Sequence, residues 1–179
     1  MAKPPITTAQ FYEALGLAVA NWNRVEEAYC DLFGRLVLCA LTGEGIGKPE
    51  GEGVFILGNV FYSTSNFRGR LELIDHILSR LVFDEALLTE WSAIKNKSGR
   101  LYARRNVLAH GVPWAGENSD PEFIRYSIFV ANARQHMDYQ RICAATPSFF
   151  RYAKRVERFA IAATGYLARR KRCPEDATH

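Results

Sequence analysis

Residues 104–111 read Arg-Arg-Asn-Val-Leu-Ala-His-Gly. If helical, they hold two guanidiniums, an amide and an imidazole within roughly two turns. Histidine is the side chain that accepts and returns a proton near neutrality, which general acid–base chemistry uses. Arginine offers a fork of N–H donors and a permanent charge to phosphate oxygens. Asn106 and His110 are four residues apart, so they share one helical face, where the amide can orient either the ring or a phosphate oxygen. Arg105 and His110 are five apart, roughly 140° around the helix, and converge on one ligand only because arginine is long. The chemistry indicated is proton transfer beside a phosphate. The plainer reading is an ordinary helix end from which Arg105 extends its charge into water.

The neighbouring residues bear on that choice. Arg105 falls in the buried phase between Leu101 and Leu108, where an unpaired guanidinium is costly to desolvate. From Trp91 to Gly116 there is no carboxylate, whereas Lys95, Lys97, Arg100, Arg104 and Arg105 all occur there. Lys97, Arg100 and Arg104 form a stripe at helical spacing that could track the phosphates of RNA, although such runs also serve simply as solvated faces. Trp114 follows His110 closely enough to stack on a base, while Trp91 lies in core phase and reads as packing. His76, beside Asp75 in sequence, reads as structural, and the run at 169–172 reads first as a cationic helix end. No phosphate-binding glycine loop, nucleophile elbow or paired helical histidines occur. No His, Cys and carboxylate cluster has metal-ligand spacing, so neither a metal nor a cofactor is expected.

The elements that must position this group are legible as periodicity. With 179 residues, 48% of them hydrophobic, the chain can bury one core, and a single domain over 1–179 is expected. A formal charge of +4 permits an anionic partner without requiring one. Cys30, Cys39, Cys143 and Cys173 are scattered, which suggests neither zinc nor disulfides and fits a reducing cytoplasm. Glu13 interrupts the apolar opening segment; without a signal-type region or an apolar span of about 20 residues, no membrane association is expected.

Apolar residues recur in steps of four and three over four segments: Phe11 to Leu36, Val60 to Leu81, Leu87 to Leu108, and Phe149 to Leu167. Thr7 or Thr8 caps the first, Asp84 opens the third, Gly111 ends it, and Thr146-Pro147 signals the start of the fourth. The glycine-rich stretch 42–53 reads as a loop. Between the third and fourth segments the period becomes two over 124–130, with 112–116 as a partner strand. The expected fold is all-α, a four-helix up-down type bundle with a small β-hairpin inserted between helices three and four.

Arg105-Asn106, three residues and then His110, near the end of a third helix, resembles the ribonuclease motif of HEPN domains. The long first helix, with Trp22 and Glu26-Glu27, is similar to that family as well, and the resemblance extends over roughly residues 7–172. It implies a metal-independent endoribonuclease that attacks the RNA phosphate with the adjacent 2′-hydroxyl. Arg105 and His110 would be catalytic, with Asn106 positioning them. It also implies a homodimer with a composite active site, a role as a toxin or antiviral effector, and an antitoxin or regulatory protein as partner. The alternative is a catalytically inactive HEPN-like nucleotide-binding or protein-interaction module.

Overall fold

Thr7 and Gln10 open the first helix by satisfying each other's backbone. Gln10 N donates to Thr7 Oγ1 at 3.2 Å and Thr7 N donates to Gln10 Oε1 at 2.9 Å, a reciprocal capping box. The computed structural model describes residues 6–42, 52–117, 124–130 and 135–172. It is mostly helical, with five helices: α1 (Thr8–Thr42), α2 (Glu52–Ser63), α3 (Phe67–Leu81), α4 (Glu85–His110) and α5 (Tyr139–Arg172). Three strands, β1 (Val112–Glu117), β2 (Ile124–Val130) and β3 (Gln135–Asp138), lie between α4 and α5. They form an antiparallel sheet with β2 in the middle, pairing Val112 with Phe129 and Ile128 with Met137. Pro113 lies on the edge strand β1, where a missing donor is tolerated.

Two helix boundaries differ from those the spacing predicts. The segment from Val60 to Leu81, expected as one helix, is broken between α2 and α3. Asn66 has extended backbone, φ −132° and ψ 152°, and its side chain accepts from Gly69 N at 2.7 Å. Ser63, Thr64, Ser65 and Asn66 form a run of short polar side chains that compete with helical backbone bonding, and Asn66 caps a new helix instead of continuing the old one. A Cβ at Gly69 would lie 2.8 Å from Thr64 Cγ2, so the turn also depends on a residue without a side chain. The break resets the phase: Val60 is 48% exposed, while its neighbour Phe61 is fully buried. Of the glycine-rich stretch, residues 43–51 lie outside the described residues.

The last helix starts earlier than Thr146-Pro147. Asp138 Oδ1 accepts from Arg141 N at 2.8 Å and begins α5, leaving Pro147 in its interior. Proline removes one helical hydrogen bond and crowds the carbonyl four residues back. Pro147 and Cys143 are both exposed, so water can reach the carbonyl left without a partner. Ile142, Ala145, Phe149 and Tyr152 meanwhile keep one buried stripe at steps of three and four, and burying that stripe outweighs the local loss.

The chain divides into two compact units, Met1–Val25 with Arg100–Tyr152, and Glu26–Gly99 with Ala153–His179. In the first, the Trp22 ring meets Phe149 edge-on at 5.2 Å and lies 5.9 Å from Tyr102. Ile128 and Met137 are the described sheet side chains in its core. In the second, Tyr29 meets Phe67 at 5.6 Å and Trp91 at 6.3 Å, and Trp91 stacks on Phe159 at 5.6 Å. The Tyr29 hydroxyl shares a hydrogen bond with buried Ser98, whose Oγ donates to Ile94 O, so both buried hydroxyls are satisfied. Arg70 ties α3 to α1 and to the interhelical turn. Its Nη1 donates to Glu26 Oε2 at 2.9 Å, its Nε to Thr64 O at 3.1 Å, and its Cζ lies 4.8 Å from the Tyr62 ring centroid.

Candidate functional site

Buried side chains and a terminal backbone bond fix the last turn of α4. Val107 and Leu108 are buried, and Gly111 N bonds Val107 O at 2.9 Å as the helix stops. This packing leaves Arg105 and Asn106 half-buried and His110 exposed. Arg105 Nη1 donates to Asn106 Oδ1 at 3.3 Å and stands 3.4 Å from His110 Nε2. The three residues singled out by their spacing are therefore brought together, with the guanidinium between the amide and the ring.

That geometry has a chemical content. A guanidinium only donates, so a hydrogen bond across this contact requires the His110 tautomer in which Nε2 accepts. Both distances exceed the ~2.7–3.2 Å typical of firm hydrogen bonds, so a better acceptor can displace them. Arg105 Nε is sealed from solvent and has no hydrogen-bond partner among the described residues. An unsatisfied buried donor costs ~1–3 kcal/mol, which makes Arg105 an expensive residue for the helix to keep.

Arg104 behaves differently from its neighbour. It is half-buried, and its Nη2 donates to the backbone carbonyl of Arg141. Burial, and then the charge of Arg141, pull the Arg104 pKa below its ordinary value. No carboxylate pairs with it among the described residues. Arg141 stands 3.8 Å from Asp138 in an exposed pair, a contact of little energetic weight. The sequence reading missed Arg141, because its segment read as a connection before the last helix.

The remaining candidates spread out. Arg100 is exposed one turn before Arg104 in the same unit; Lys97 is exposed on α4 in the other unit. Trp114 has its backbone in β1 opposite Ser127, and its side chain lies outside those described. Lys95 is drawn off by Asp75, which also accepts from Trp91 Nε1 at 2.7 Å; Trp91 is core, as its phase indicates. His76 is exposed on α3. Cys30, Cys39 and Cys143 take part in no disulfide among the described residues, and Cys173 lies outside them.

Among the described residues, no group of three or more His, Cys, Asp and Glu side chains is arranged to hold a metal ion. No helix among them is long and apolar enough to cross a membrane. No family model, curated protein or solved structure matches the chain.

Proposed function

We propose that the chain is a metal-independent endoribonuclease of the HEPN type, in which Arg105 and His110 are catalytic and Asn106 positions them. The observation that carries this reading is the Arg105 guanidinium held by weak contacts between Asn106 Oδ1 at 3.3 Å and His110 Nε2 at 3.4 Å. An RNA phosphodiester offers charged oxygens that bond the guanidinium better than the imidazole does. On binding, it takes the Arg105 donors and frees Nε2 to remove the proton from the adjacent 2′-hydroxyl. The new bond is O2′–P and the broken bond is P–O5′. The products carry a 2′,3′-cyclic phosphate and a 5′-hydroxyl. Arg105 stabilises the charge on the phosphorane, a contribution of ~3–4 kcal/mol for a well-placed donor.

The leaving oxygen needs a proton, and the reading assigns its delivery to the partner subunit's His110 in a homodimer with a composite site. The exposure of His110 leaves it accessible to such a copy. A four-helix type architecture belongs to the same proposal, α2 and α3 counting as its second helix and the expected hairpin of β1 and β2 being extended by β3 before the last helix. So do a cytoplasmic setting, a toxin or antiviral role and an antitoxin or regulatory partner.

The test is incubation of the purified protein with total RNA in EDTA beside His110→Ala, with end-group analysis of the fragments. The expected loss is ~10²–10⁴-fold, the usual weight of positioned acid–base catalysis. Because His110 is exposed, its removal should leave folding intact. Equal cleavage by both proteins would exclude His110 from the chemistry. RNA binding without cleavage by the wild type would instead favour a non-catalytic binding module.

A further inference from the structure

Arg104 and Arg141 form an arrangement that the catalytic reading does not use. Arg104 reaches from α4 to the Arg141 carbonyl on α5, which spends one of its five N–H donors and fixes where the group sits. Its charge is half-buried, faces a like charge, and has no carboxylate partner among the described residues. Bringing two guanidiniums together costs energy that the exposed Arg141–Asp138 pair at 3.8 Å offsets only in part, and a shared anion returns the rest. Arg100 lies four residues before Arg104, on the same face of α4, and is exposed.

Arg104 is not a duplicate of Arg105. Successive residues on a helix diverge by ~100° while their Cα atoms stay ~3.8 Å apart. Arg105 turns towards His110 and Arg104 towards Arg141, so each serves its own anion. We infer that Arg104 and Arg141, with Arg100 beside them, form a second phosphate subsite that takes a phosphodiester flanking the scissile one in single-stranded RNA. The ligand's identity rests on the ribonuclease reading; the need for an anion rests on Arg104, which is half-buried and has no described carboxylate, whereas Arg141 already stands 3.8 Å from Asp138. Two separate phosphate positions require a polymer, which makes the substrate an oligonucleotide and not a mononucleotide. A single strand fits because in-line attack by a 2′-hydroxyl needs a backbone free of the regular helix, and unpaired segments supply it.

The test uses a 2′-O-methylated decamer, which cannot be cleaved, and a 2′-O-methylated dinucleotide carrying one phosphate. Affinities are measured in EDTA over a range of salt for the wild type, Arg141→Gln, Arg104→Gln and Arg104→Lys. Arg141→Gln is the cleanest variant, because the backbone carbonyl that holds Arg104 remains. Its expected effects are a roughly tenfold weaker decamer complex at low salt, a log K against log salt slope flatter by ~0.7, and an unchanged Tm. The ratio of decamer to dinucleotide affinity falls correspondingly, and Arg104→Lys recovers the salt slope lost in Arg104→Gln.

Unchanged decamer affinity and slope in both glutamine variants would overturn the subsite. So would a fall in affinity that tracks a fall in Tm and is not recovered by lysine. Failure of the wild type to bind the decamer would overturn the subsite together with the ribonuclease reading. If the expected losses appear while the wild type never cleaves RNA, Arg104 and Arg141 stand as a phosphate-binding pair for single-stranded RNA and the catalytic reading alone fails.

Discussion

Replacing Arg105 by methionine should make the protein more stable and inactive at once. Methionine keeps the unbranched stem that packs beside the last turn of α4, and its helix propensity is close to that of arginine. The substitution removes a buried Nε that has no partner among the described residues, a relief of ~1–3 kcal/mol. It also removes the bonds to Asn106 and His110 at 3.3 and 3.4 Å; contacts this long return ~0.5 kcal/mol each at most. The net is ~1 kcal/mol in favour of the variant, or a Tm higher by ~2–4 °C for a chain of this size. Thermal and urea unfolding in EDTA without RNA measure it, and the cleavage assay on the same samples should show activity lost. A Tm lower by 2 °C or more would mean that Arg105 holds the helix end together, and the argument from a costly residue kept for chemistry would fail. A second reading sharpens the outcome: the uncleavable decamer should raise the Tm of the wild type more than that of Arg105→Met, because only the former retains the donor fork.

Three further perturbations probe the scaffold. Glu26→Ala leaves Arg70, whose side chain is only 13% exposed, without its carboxylate, and should cost ~3 kcal/mol in urea unfolding; a loss under 1 kcal/mol would show the pair to be dispensable. Burial raises the Asp75 pKa, but the hydrogen bonds from Lys95 and Trp91 and the charge of Lys95 outweigh it and leave the carboxyl below its ordinary range. A depressed folded pKa contributes stability above the unfolded value and loses it as pH falls through the folded one, so the Tm advantage of wild type over Asp75→Asn should shrink from pH 6 to pH 2. An advantage that grows on acidification would contradict the assignment. Pro147→Ala restores the helical N–H to α5 and should stabilise by up to ~3 kcal/mol, read as a higher urea midpoint; a lower midpoint would show that the helix needs the irregularity there.

The helical character was legible because burial repeats where the spacing repeats. Phe11, Ala18, Trp22, Val25, Tyr29, Leu32 and Leu36 are all buried along α1, and Asp84 and Gly111 bound α4 at the residues whose backbone chemistry marks the ends. What misled was punctuation. Thr64 stands at a position the apolar repeat would use, so the repeat runs through the Ser63–Asn66 cap as if it were absent. Thr146-Pro147 carries a start signal that the buried stripe from Ile142 to Tyr152 overrides. Local signals are worth ~1 kcal/mol each, and a stripe of several buried apolar side chains outweighs them at ~1.5–3 kcal/mol per residue.

The candidate site divides along the same physical line. Arg105, Asn106 and His110 belong to one helix, and their convergence follows from helical geometry, which spacing in the sequence encodes. Arg141 reaches the site from α5, 37 residues after Arg104, through a contact to its backbone carbonyl, to which the identity of the side chain contributes nothing. Only the folded path shows that a cation from a second helix stands beside Arg104. The same reasoning explains why Lys95 dropped out of the basic run. Its partner Asp75 comes from another helix, and a stretch without carboxylates in sequence still meets one in space. Of the basic run, Arg100, Arg104 and Arg105 lie in the unit containing His110 and have no described carboxylate, and an anionic polymer is the ligand that would complete them.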